Sequence, residues 1–180
     1  VFNGSLSGGG ADKLGLGTLT LNNAVNAQPG TLAVFAGRLE LQGAVQGSVA
    51  IFDTASLVGE GSITGQLFMG NGGTLRHGNS PATLFVGSMI LSPTSSLVYD
   101  LDVINTVNLS NDLIVVDTDL TLDGMLSVVP GANFNIGTGA YTLITYGNLL
   151  ADGGLDITGL APPADVVYTI STTNVANAGA

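Results

Sequence analysis

His77 and Ser80 stand three residues apart in Leu75-Arg76-His77-Gly78-Asn79-Ser80-Pro81, and His77 is the one histidine of the chain. A histidine beside a serine is the minimum for nucleophilic hydrolysis. That chemistry needs a base within hydrogen-bond reach of the hydroxyl and a third group to orient the base. Asp100 or Asp102 would have to be that third group. The Gly-x-Ser-x-Gly elbow that strains and exposes a serine is missing. The same residues make a good turn: Gly78 frees the backbone, Asn79 and Ser80 hydrogen-bond locally, and Pro81 fixes φ. We therefore read Gly78, Asn79, Ser80 and Pro81 as a structural turn and boundary, and expect no catalytic residue.

Carboxylates are the second concentration of chemistry. Asp112, Asp117, Asp119 and Asp123 lie close in sequence, and Asp117 and Asp119 share a face if the segment is a strand. Calcium needs six or more oxygens. The preferred reading is a solvated outer face, with Val116 and Leu120 pointing inward, so no metal is assigned. "GGGADKLGLG" from Gly8 misplaces its aspartate relative to the calcium-binding nonapeptide and occurs once. A polysaccharide hydrolase would need two carboxylates at a set separation, for which Asp100 and Asp102 are the distant candidates. A lyase would need cations, and Lys13, Arg38 and Arg76 are too few and too scattered. No cofactor is expected.

The charge balance excludes more than it assigns. Three basic against 13 acidic residues give a net charge of -10, which argues against nucleic acid and anionic membrane surfaces as partners. With no cysteine there are no disulfides and no thiolate metal sites. Charged residues are only 9% while hydrophobic residues are 45%, enough for a substantial core. The chain begins at Val1 without Met and reads as a piece of a longer protein.

Something must position these residues, and the spacing says what. "GTLAV" from Gly30, "GSVAI" from Gly47, "GQLFM" from Gly65 and "ATLFV" from Ala82 recur every 17 or 18 residues. Each places apolar residues two apart, the mark of a strand with one buried face. A second series holds Leu39, Leu57 and Leu75, and a third ends at Val45 and Ile63. Hairpins do not keep one offset through three series, whereas a solenoid does. The expected fold is all-β, a right-handed parallel β-helix with three short strands per coil. Roughly nine coils would stack at the strand spacing. From Leu91 the period fades while alternation persists. "DLIVVDTDLTLDGMLSVVPG" reads as strand, turn, strand, turn, strand. The expected division is repetitive coils over 1–81, a C-terminal capping β region over 82–172 and a linker over 173–180.

These residues resemble the C-terminal part of an autotransporter passenger, from the type V secretion systems of Gram-negative bacteria. "KLGLGTLTLNNAVNAQPGTLAVFAGRLEL" is similar to the passenger-associated repeat, although its loop "NNAVNAQP" lacks that repeat's aromatic and Thr-Gly residues. "LRHGNSPATLFVGSMILSPTSSLVYDLD" is similar to the family's Pro-Gly-Asn-Ser-Pro-Gly stretch and the strands after it, with His77 and Ala82 replacing a Pro and a Gly. "DLIVVDTDLTLDGMLSVVP" and "GAYTLITYG" continue the likeness. The resemblance implies a rod-like stem at the cell surface or secreted, followed by a covalently continuous outer-membrane β-barrel translocator that is absent from this chain. It also implies an autochaperone, last rungs that nucleate folding outside the membrane. We expect that nucleus and cap between Asn111 and Thr172, with Leu113, Val115, Leu120, Leu122, Tyr141, Leu143, Ile144, Tyr146 and Tyr168 as its candidate residues, and Phe134 as a further aromatic cover. The second reading is an adhesin or self-associating surface that binds host or neighbouring-cell ligands.

Overall fold

A computed structural model describes residues 6–22, 25–27, 29–77, 81–102, 111–134, 139–158 and 169–172. The strands follow one another around a coil. They are β1 (Ala11–Lys13), β2 (Thr18–Leu21), β3 (Thr31–Val34), β4 (Arg38–Leu41), β5 (Ala44–Val45), β6 (Ser48–Ile51), β7 (Ser56–Gly59) and β8 (Ser62–Met69). Then come β9 (Thr74–Arg76), β10 (Thr83–Leu91), β11 (Ser96–Leu101), β12 (Leu113–Leu122), β13 (Met125–Pro130), β14 (Ile144–Asp152) and β15 (Asp156–Thr158). One sheet runs β1-β3-β6-β8-β10-β12-β14, with β5 also beside β8, and the other runs β15-β13-β11-β9-β7-β4-β2. Each named strand pair is parallel, so the chain is a parallel β-helix solenoid. Among the described residues there is no helix.

The core is made of columns, one residue per rung. Leu19, Leu39, Leu57, Leu75, Leu97, Leu126 and Ile157 are successive partners through the second sheet. Leu32, Val49, Leu67, Met89, Leu120 and Leu149 do the same in the first. Leu39, Leu57, Val49, Leu67 and Leu120 have no exposed surface. Fully burying each such side chain contributes about 1.5–3 kcal/mol. Rungs approach closely where a corner bends. A Cβ on Gly65 would lie 2.7 Å from the Gly47 carbonyl oxygen, so only glycine fits there.

Four expectations are corrected. Each sheet path has seven strands, which makes seven rungs rather than nine among the described residues. The third series is not a separate strand throughout. It is present as β5, but in later coils it runs on into the next first-sheet strand, so β8 and β10 each carry both, with register shifts at Val86/Ser88 and Val86/Met89. The Ala82 segment does not extend the Gly65 series. Val86 pairs with Ile63, and Met89 rather than Leu84 pairs with Leu67. The coil gains residues between Arg76 and Thr83, so the constant step of 18 fails there. Finally, Leu113–Leu122 is one bulged strand, not two strands and a turn.

Candidate functional site

The most unusual chemistry lies at the point where coil length changes. Leu57 pairs with Leu75 and Leu75 with Leu97. Two positions along, the same register sets Gly59, His77 and Tyr99 in one interior column. His77 is therefore a core residue with 1% exposure, not a replaced turn residue. Its ring lies 4.9 Å from that of Tyr99, tilted by 50°. Its Nε2 is 3.2 Å from the Leu113 carbonyl oxygen, and its Nδ1 is 3.5 Å from Asp112 Oδ2. Asp112 is fully buried and, among the described residues, accepts backbone N–H bonds from Ala82 to Oδ1 at 3.1 Å and from Asp100 to Oδ2 at 2.7 Å. The Tyr99 hydroxyl donates to the Leu143 carbonyl at 2.9 Å. One polar cluster thus joins β9, the approach to β10, β11, the approach to β12 and the approach to β14.

Burial dominates the electrostatics. It holds the His77 imidazole below its ordinary pKa, opposed first by the Asp112 carboxylate and then by backbone carbonyls. It pushes the Tyr99 phenol well above its ordinary value, with Asp112 adding in the same direction. Asp102 is exposed and held below its usual range by the Asn133 side chain and backbone N–H, which donate at 3.0 and 2.6 Å.

The other expected site residues are placed as follows. Gly78, Asn79, Ser80 and Tyr168 lie outside the described residues, and Pro81 is exposed at a bend. Leu120 and Leu122 face the core, but Leu113 and Val115 are half-buried on the outer side, while Ile114 and Val116 take the core positions. The alternation back from Leu122 through Leu120, Val116 and Ile114 carries that register in the sequence. Tyr141, Leu143, Ile144 and Tyr146 are partly buried against the core, and Phe134 stacks on Tyr141 at 5.3 Å. The carboxylates do not converge: Asp117 is exposed, Asp119 accepts from Asn148 at 3.1 Å and Asp123 caps its own turn at Gly124. Among the described residues no group of three or more His, Cys, Asp or Glu could hold a metal. Asp100 pairs with Arg76 at 3.5 Å. Asp112 and Tyr99 were missed as partners of His77, because the corner between them and the histidine has no periodicity.

The outer face carries a short aromatic stack. Phe35 and Phe52 lie 5.0 Å apart and nearly parallel, and Phe52 and Phe68 are 5.6 Å apart. At the other end an open cleft of about 620 Å3 lies beside β15, lined by Asp152, Asp156, Ile157, Ile170 and neighbours.

Comparison with known proteins adds one finding. Over 93 residues, 51% of this chain, the sequence is 41% identical to the adhesin BmaC autotransporter of Brucella suis biovar 1 (strain 1330). The likeness supports an autotransporter passenger-like origin. The matched stretch is 3% of that protein, so this chain corresponds to a small slice of it. No protein-family profile matches, and no solved structure does.

Proposed function

We propose that this chain is the stem of a surface-displayed or secreted autotransporter passenger in a Gram-negative bacterium, that it is not an enzyme, and that its C-terminal rungs nucleate folding during export. The proposed division keeps coils over 1–81, a C-terminal region over 82–172 and a linker over 173–180, and the change in coil length near Pro81 supports the first of these boundaries. The observation that carries the reading is the uninterrupted parallel pairing from β14 back to β1 and from β15 back to β2. In such a stack each completed rung is the template for the next, so nucleation is the hard step and propagation is easy. If the C-terminal rungs emerge first, beside a membrane barrel continuous with the chain, each further rung buries its leucines outside the cell. That burial opposes backsliding and needs no nucleotide.

Leu143 is the test residue. Its carbonyl accepts from both the Ile114 N–H and the Tyr99 hydroxyl, and its side chain packs on the core. In the full-length protein Leu143→Asp is expected to reduce surface display and to leave the passenger protease-sensitive. Wild-type display together with protease resistance overturns the nucleus. The second reading, adhesion or self-association, is favoured by the name of the relative. It expects the isolated chain to bind host cells or its own copies in a pull-down, and no binding at micromolar concentration counts against it.

A further inference from the structure

We infer that the single histidine makes the seam between the short and the long coils a proton-sensitive joint, held by neutral His77 and loosened when its Nδ1 takes up a proton. The inference concerns the seam alone and does not depend on the export reading.

Hydrogen-bond accounting fixes the tautomer. The Leu113 carbonyl can only accept, so His77 Nε2, 3.2 Å away, carries the hydrogen. Neutral His77 then keeps a bare lone pair on Nδ1, which is buried and has no hydrogen-bond partner. It faces Asp112 Oδ2 at 3.5 Å, and both oxygens of that carboxylate already accept backbone N–H bonds. Two acceptors therefore confront each other in the core. A proton arriving from solvent adds to the Nδ1 lone pair and creates a cation where exposure is 1%.

The neighbours compensate only in part. On β9 the adjacent Arg76 is a like charge, already turned to Asp100 of β11 at 3.5 Å. β11 also presents Tyr99, whose hydroxyl is donated to Leu143 and keeps its proton. β7 offers Gly59 in the column and no charge, with Glu60 exposed beyond it. Asp112, before β12, is the strongest pull toward the charged ring, with the Leu113 and Val98 carbonyls and Asp100 adding to it, and burial outweighs them. The joint is also where the ladder is thinnest: β9 has three residues, the shortest inner strand of the second sheet.

The sign follows from linkage. The folded chain holds the imidazole below its unfolded pKa of about 6.5. The stability it contributes is full above that pH, is lost as pH falls toward the folded value, and changes no further below it. The folding constant changes by up to about tenfold per pH unit in that window. Because no other histidine and no cysteine is present, the titration has one imidazole to follow.

The experiment combines NMR titration of that imidazole with amide hydrogen exchange on the 180-residue chain, from about pH 5 to 8. Wild type, His77→Phe and His77→Gln are compared, the last keeping a donor for Leu113 should the phenylalanine variant fail to fold. The imidazole is expected to titrate below its ordinary value. Protection of the β9 and β11 amides should fall by up to about tenfold per unit as pH drops from about 6.5 to that titration and level off below it, while β3 and β6 stay protected and the variants show no such slope. Titration at or above the ordinary value, the same slope in the variants, or uniform loss over all rungs overturns the joint.

Discussion

In the short coils Leu39, Leu57 and Leu75 advance by 18 residues, whereas Leu97, Leu126 and Ile157 advance by 29 and then 31. The two halves share columns and pairing but differ at one corner. Passing from the first sheet to the second takes four residues or fewer from β6 onward, for example Phe52–Ala55 or Asp123–Gly124. Passing from the second sheet back to the first takes two residues after β7, but 11 after β11 and 13 after β13. A short corner is closed by backbone alone, since Ser62 N–H reaches Gly43 O at 3.0 Å. A long corner needs side chains. Asp112 bonds Ala82 and Asp100, Asn111 accepts from Asp102 N–H at 2.7 Å and Asp102 accepts from Asn133. The difference teaches that coil length is set at one corner, and that each insertion is anchored by a polar side chain at its base.

Removing an anchor should therefore break the long half first. Asp112→Ala leaves two buried N–H groups without their acceptor and is expected to cost about 3–5 kcal/mol. Urea unfolding followed together with proteolysis should show β10 to β15 released while the short coils persist. A loss under about 1 kcal/mol would show that the corner holds without its anchor.

The next effect separates buried from open rungs. Leu57→Ala removes a side chain with no exposure and rungs on both sides, and should cost about 2–5 kcal/mol by urea midpoint. Leu149→Ala lies on the last strand of the first sheet, where the side chain is only partly buried, and should cost less than about 1.5 kcal/mol. Equal costs would mean that β14 is covered as well as β7 is.

The same contrast explains what the sequence discloses. The Leu39, Leu57, Leu75 spacing names the sheet, its direction and its core, because each short coil repeats one solution to one packing problem. Leu97, Tyr99 and Leu101 are legible as one inward face for the same reason, and all three are buried. Register is lost at Ala82, because "ATLFV" and "GSMIL" both alternate and only the inserted residues decide which follows Leu67. The His77–Asp112 contact is hidden for a related reason. It spans an aperiodic corner, and a histidine after Gly-Thr-Leu-Arg resembles a strand end more than a core column. Its one signal is register: Gly59 stands 18 residues before it, as Leu57 stands before Leu75.

The smallest effect tests the corner that stays short in every coil. Gly37, Gly72, Gly124 and Gly154 have φ of 73°, 75°, 102° and 82°, and Asp53 takes the same place at 51° as the one described non-glycine residue with positive φ. Aspartate tolerates that conformation better than most residues, but its Cβ still costs there, on the order of 1 kcal/mol. Asp53→Gly removes the strain while loosening the unfolded chain by about 0.4–1 kcal/mol, so the two terms nearly cancel. The expected change is within about 0.5 kcal/mol by urea midpoint. Gly72→Ala meets both penalties at once, because its φ is 75° and a Cβ there would lie 2.7 Å from the Asp53 carbonyl oxygen. It should cost at least about 1–2 kcal/mol. If both substitutions were neutral, this corner would be set by the inward leucines on either side rather than by its backbone, and the two corners would differ only in length.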